Sequence, residues 1–257
     1  MAGRARRYRA RPFPTRVTAT CDGRVGNPIA TYNRRVPNSE SRGSFRELTL
    51  AAFVDQLASG EPVPGGGSAS AVAASLGAGL LAMVATLSQD RPKYAAHAPL
   101  HAEAIEAGRR LTTRFLDLAD DDAAAYARFA ATLKLPRQTD AEQTKRREAM
   151  SEAARDAAEV PLAMMEACLE LVSTVESLVG RSNANASSDL AVAAFLASAA
   201  ARGAAENVLV NLPSVDDDAY RGEATADVMH MLDTIEQLAA EVHEKVRSGS
   251  PRDPLPG

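Results

Sequence analysis

An all-α architecture, an antiparallel bundle of long, alanine-rich helices, follows from three properties of this 257-residue chain. Hydrophobic residues make up 46% of it, aromatics only 4% and tryptophan none, so much of the apolar content is alanine. Alanine is the strongest helix former and lets backbones pack closely. Apolar residues recur at three- and four-residue steps over long stretches, whereas no run alternates with period two for long enough to make a convincing strand. Solenoid repeats are absent as well. The length suffices to bury a sizeable core.

Residues 1–46 are rich in arginine, with only Asp22 and Glu40 against them, and have no apolar period. They read as a disordered basic leader outside the fold. Residues 47–247 read as one helical domain, and 248–257 as a tail. Thr49 N-caps a short first helix, "LAAFVDQLAS", ending near Gly60. Pro62 and Pro64 stiffen the loop that follows. The second helix spans about Ser68 to Gln89 and carries no charge. Its length would cross a bilayer. Its composition of Ala, Ser and Gly, with small residues four apart (Ala69, Ala73, Gly77; Ala71, Ser75, Gly79), fits better a helix buried on all sides within a bundle. The third helix runs from about His101 to Leu133, with Ile105, Phe115, Leu118, Ala119, Tyr126, Phe129 and Leu133 on one stripe. "KLPRQTD" ends it. The fourth helix starts near Asp140, with a kink or break expected at Pro161. "GRSNANASS" is a loop, a fifth helix covers about Leu190 to Val210, and a last helix ends near Arg247.

The net charge of −4 argues against a nucleic-acid binder. Cys21 and Cys168 lie far apart, with neither a disulfide framework nor metal-ligand spacing, which suits a reducing cytoplasm. The charged N-terminus has no apolar core of a secretory signal.

Four segments carry candidate chemistry. Gly65, Gly66 and Gly67 bare the backbone, and Ser68 can cap the helix behind them; a tight turn with a helix cap accounts for the same residues. No Lys follows and no strand precedes, so this is not a nucleotide-phosphate loop. In "DDDAAAYARF", Asp122 lies seven residues after Phe115 and four before Tyr126, hence on the apolar stripe. An acid there has a raised pKa unless it is paired, and a partner Lys or Arg is the competing reading. "SNANASSDLAVAA" supplies Asn183 and Asp189 before an apolar helix, where Asp189 also suits an N-cap. Asn207 and Asn211 share a face otherwise lined by Val and Leu; they serve a helix-to-helix hydrogen bond or a ligand with mixed donors and acceptors. Lys134 and Arg137 form a small basic group, either solvated or holding an anionic substrate tail. His97 and His101 flank Pro99 without a third ligand nearby, so no metal site is expected.

Taken in order, "FVDQLASGEPVPGGGSASAVAASLGAGLLAMVATLS", "DDDAAAYARFAATLKLP", "RREAMSEAARDAAEVPL" and "SNANASSDLAVAAFLASAARGAAENVLVNL" resemble blocks of the formiminotetrahydrofolate cyclodeaminase / methenyltetrahydrofolate cyclohydrolase family. The similarity spans roughly Leu48 to Glu244. A Cys-Gly-Asn loop of that family reads Arg181-Ser182-Asn183 here. The resemblance implies an all-helical homodimer that binds a folate, with no cofactor beyond that substrate. It implies one of two reactions at the carbon bridging N5 and N10: hydrolysis of 5,10-methenyltetrahydrofolate to 10-formyltetrahydrofolate, or cyclisation of formiminotetrahydrofolate with release of ammonia. It makes Asp122 and Asp189 the acid/base candidates. Gly65, Gly66, Gly67 and Ser68 would line the ligand beside Asn183, Asn207 and Asn211, and Lys134 and Arg137 would hold the glutamate tail. The length leaves room for the cyclodeaminase-like unit only, and a lone deaminase would need a separate supply of its substrate. That favours the cyclohydrolase, with the cyclodeaminase and a non-catalytic helical dimerisation module as alternatives.

Overall fold

The computed structural model describes residues 43–255. The arginine-rich stretch up to residue 42 lies outside the described residues. Within them the chain forms α1 (Leu50–Leu57), α2 (Gly66–Ser88), α3 (Ala98–Thr132), α4 (Asp140–Leu178), α5 (Ser187–Asn211) and α6 (Asp218–Ser248), and no strand.

Local chemistry sets the helix ends. The Thr49 hydroxyl accepts the Ala52 N–H at 3.2 Å and starts α1. Thr139 and Glu142 form a capping box at α4. Asp217 accepts from the Tyr220 N–H at 3.0 Å to start α6, and Gly249, at φ 63°, ends it in the left-handed conformation. Helix α3 begins at Ala98, earlier than the sequence suggested, because Pro99 fits its first turn, where a missing N–H costs nothing.

Helices α2 to α5 form a closed up-and-down bundle, each packing on the next and α5 returning to α2. Gly66 faces Asn207, Gly203 faces Ser70, and Gly77 faces Ala193 and Leu196, so α2 and α5 are antiparallel. Gly67 meets Asp122 and Gly108 meets Ala82, which makes α3 antiparallel to α2. Arg110–Glu170, Arg114–Glu166 and Arg128–Asp156 fix the same relation between α3 and α4. Helix α6 lies against α4 and α5, tied by Arg155–Asp217 and Arg202–Glu236. Leu81, Leu111, Phe115, Met164, Leu171 and Leu190 fill the centre. Small residues set the spacing: a Cβ on Gly108 would come within 2.8 Å of the Ala78 carbonyl and 2.9 Å of the Ala82 nitrogen.

Four features depart from the sequence reading. Helix α4 is not broken at Pro161. Proline cannot donate to the carbonyl four residues back. That carbonyl, of Ala157, accepts instead from Asn211 Nδ2 at 3.0 Å. Secondly, α2 is not buried on all sides. Its neighbours leave one apolar face open, where Leu76 is 56%, Met83 39% and Leu87 41% exposed, flanked by half-buried Val72 and Leu80. It is also the one helix among the described residues long and apolar enough to cross a membrane, yet its opposite face is packed by α3 and α5. Thirdly, Ser44–Arg46 belong to the fold: the Phe45 N–H donates to Asp120 at 2.8 Å, and its ring meets Phe53 edge-on at 5.6 Å. Lastly, the stretch after α6 straps the α4–α5 connection. The Arg252 N–H donates to the Gly180 carbonyl at 3.0 Å, and Arg181 Nε to the Asp253 carbonyl at 2.5 Å.

Candidate active site

The glycine triplet shapes the first turn of α2. Gly65 occupies the N-cap position and has no side chain to satisfy the amides behind it. Asp122 of α3 takes that role from the neighbouring helix. It accepts from the Ser68 backbone N–H and from the Ser68 hydroxyl, Oγ to Oδ2 being 2.9 Å. A Cβ on Gly67 would overlap this carboxylate. The bare backbone is therefore what admits the acid.

Burial pushes the Asp122 carboxyl above its ordinary value, and the two Ser68 hydrogen bonds act in the opposite sense without cancelling it. Beside it, the Asn207 amide nitrogen lies 3.9 Å from where a Cβ of Gly66 would sit. Asn207 donates to its own helix at Gly203 O, 2.7 Å away, which leaves its second N–H and its oxygen for other partners. Gly66 is exposed and Asn207 half-buried, whereas Ser68 is fully buried behind the carboxylate. Asn211 spends both amide protons, on Ala157 O at 3.0 Å and Asn207 O at 2.8 Å.

Beyond this end of the bundle, α3 continues ten residues past Asp122, about 15 Å at 1.5 Å per residue. There the α3–α4 turn carries exposed Lys134 and Arg137. A cleft of 370 Å³ opens between that turn, the start of α4 and the segment after α5, lined by Arg137, Gln143, Arg146, Arg147, Met150 and Ser214. Arg146 and Arg147 were missed in the sequence, although the run "TKRRE" on the first turns of α4 signals them.

Asp189 and Asn183 lie elsewhere. Asp189 is the third residue of α5, half-buried, and Ala186 rather than Asp189 holds the N-cap position. The antiparallel register places it beside the C-terminal part of α2, about sixteen residues or 24 Å from Gly67. The buried loop residue Asn183 shares that end: its N–H donates to Ser88 Oγ at 2.8 Å, and its Oδ1 accepts from the Asn185 N–H at 3.2 Å. Asp122 and Asp189 thus lie at opposite ends of α2, and the two aspartates do not meet within one chain. His101 is buried, with Nε2 2.9 Å from the Arg181 carbonyl.

Residues 49–230 match the family model described as formiminotransferase-cyclodeaminase. The chain belongs to that family. It is 33% identical over 200 residues to the methenyltetrahydrofolate cyclohydrolase of Methylorubrum extorquens, a match covering 78% of this chain and 96% of that protein. It is 31% identical over 207 residues to the formimidoyltransferase-cyclodeaminase of Rattus norvegicus, where the match covers 80% of this chain but only 38% of the longer relative. The crystal structure of formiminotetrahydrofolate cyclodeaminase from Thermotoga maritima superposes with a TM-score of 0.72 at 26% identity, covering 79% of this chain and 98% of that one. The formiminotransferase-cyclodeaminase match begins at Thr49, the cap of α1, and takes in Asp122, Asp189 and Asn207.

Proposed function

We propose that the chain is a methenyltetrahydrofolate cyclohydrolase, acting as a cytoplasmic homodimer with no cofactor beyond its folate substrate. One observation carries the reading: the Asp122 carboxyl is held against bare α2 backbone, raised in pKa, with the free part of the Asn207 amide beside it. Such a carboxyl holds a proton more firmly than an ordinary one, and so is suited both to take and to return it. In the proposed course, water attacks the methenyl carbon and Asp122 accepts its proton. The N5–carbon bond then breaks, Asp122 returns that proton to N5, and the remaining hydroxyl proton leaves as the N10-formyl carbonyl forms. Gly65 and Gly66 give the pterin a flat wall, Gly67 lying buried behind it under the Asp122 carboxylate, and Asn207 hydrogen-bonds the ring. Arg137, which lines the arginine-rich cleft, and Lys134 on the same turn hold the glutamate tail.

The open face of α2 supports the homodimer. Val72, Leu76, Leu80, Met83 and Leu87 follow one another at three- and four-residue steps with no charge among them, an apolar stripe of the kind by which one helix packs on another. Pairing two copies antiparallel across this face would bring Asp189 of the partner subunit toward Asp122 and complete each site.

The relative from Methylorubrum extorquens matches over nearly its whole length and favours the cyclohydrolase; the Thermotoga maritima structure keeps the cyclodeaminase as the second reading. Incubating purified protein with methenyltetrahydrofolate tests the first through loss of near-ultraviolet absorbance. Ammonia release from formiminotetrahydrofolate, without that loss, would support the second.

A further inference from the structure

We infer that Ser68 is a positioning residue for Asp122, a two-way hydroxyl that satisfies the carboxyl in either protonation state. Its Oγ lies 2.9 Å from Asp122 Oδ2 and 3.1 Å from the Ala119 carbonyl. One hydroxyl carries one proton and serves one of these acceptors at a time. With Asp122 ionised, Ser68 donates to Oδ2. With Asp122 protonated, the acid donates to Ser68 Oγ, and the hydroxyl turns its own proton to Ala119 O, which has a second lone pair beyond its helical bond. Neither state leaves a buried donor unpaired. Ser68 is fully buried, so it acts through Asp122 and not on substrate.

The Ser68 side chain and N–H are the hydrogen-bond partners seen to act on the Asp122 carboxyl. Helix α2 brings no ionisable side chain. On α3, Asp120 is held by Ser44 and Phe45, Asp121 is exposed, and Tyr126 stands one turn on. At this level α4 carries Glu159, paired with Arg155, and α5 presents Asn207 with Glu206 exposed beside it. The sequence reading made Ser68 a helix cap; Gly65 holds the N-cap position instead, the cap is supplied by Asp122, and the serine is buried.

The inference rests on the proposed role of Asp122, but its test does not need turnover. The carboxyl of Asp122 is titrated by infrared difference spectroscopy, with Asp122→Asn identifying the band, in the wild-type chain, Ser68→Ala and Ser68→Cys. Ser68→Ala takes a hydrogen bond from both forms, but the ionised form loses the stronger, charge-assisted one, so the midpoint moves upward, and the weaker thiol donor gives an intermediate shift. In the enzyme assay the acid limb of kcat follows the same direction, with a fall of about tenfold below the midpoint and KM little changed. An unmoved midpoint in folded Ser68→Ala, or in Ser68→Cys where the alanine variant does not fold, overturns the inference whether or not the protein turns over folate. Absent turnover with a shifted midpoint counts against the proposed reaction alone.

Discussion

A Cβ built on Gly67 would stand 2.1 Å from Oδ1 of Asp122. The obstacle is the end of a side chain, which can swing away. The obstacle at Gly108 is backbone, at 2.8 and 2.9 Å, which cannot. The two glycines therefore separate function from stability. Gly67→Ala should displace the carboxyl and lower turnover at least tenfold, while the melting temperature changes little, since alanine also gains about 1 kcal/mol of helix propensity. Gly108→Ala should force α2 and α3 apart and lower the melting temperature by several degrees. Melting curves and rates measured side by side check both.

Asp122→Asn should lower turnover by about 10²- to 10⁴-fold, the usual worth of a general acid–base group. It should not destabilise the fold, because the amide oxygen still accepts from Ser68. The pH dependence has a definite sign. A carboxyl whose native pKa is raised contributes stability that is fully present below its unfolded value and is lost as pH rises through the native one. The variant lacks that loss. Its melting temperature relative to wild type should thus climb from about pH 4 upward, until the native carboxyl is fully ionised. A difference that shrinks over this range would show that the carboxylate is stabilised, not strained, by its site.

The bundle was legible because alanine content and three-four periodicity act locally: the helices end within a few residues of where caps and prolines place them. Burial was less legible. The stripe through Phe115 and Tyr126 located Asp122 correctly, yet no periodicity says that Ser68 turns inward or that Asp189 lies at the far end of α2. Both depend on the antiparallel register of α2 with α3 and α5. Pro161 left a kink or a break open, and the break is absent for a related reason: the group that satisfies the orphaned carbonyl, Asn211, comes from another helix fifty residues on. The strap from Arg252 to Gly180 is equally non-local, since nothing in "SGSPRDPLPG" names its acceptor.

The dimer proposed across α2 yields a complementation test. Leu76→Glu together with Met83→Glu should convert dimer to monomer by light scattering and abolish turnover. Asp122→Asn and Asp189→Asn should each be nearly inactive as pure proteins. Co-refolded in equal amounts, they should recover about a quarter of wild-type activity, because half the dimers are mixed and one of their two sites is intact. No recovery would place Asp189 outside the site containing Asp122.

The Pro161–Asn211 relation can be isolated by a double-mutant cycle. Asn211→Ala removes the donor to Ala157 O and leaves a carbonyl that Pro161 cannot reach, at a cost of about 1–3 kcal/mol in chemical denaturation. Pro161→Ala restores an N–H that reaches the same carbonyl along the helix. In that background the Asn211 amide is redundant at Ala157, although it still binds Asn207 O. Asn211→Ala should then cost markedly less, giving a coupling energy of about 1 kcal/mol between residues on different helices. Additive effects would mean that Asn211 stabilises the bundle through Asn207 alone, and that α4 tolerates its proline without help from α5.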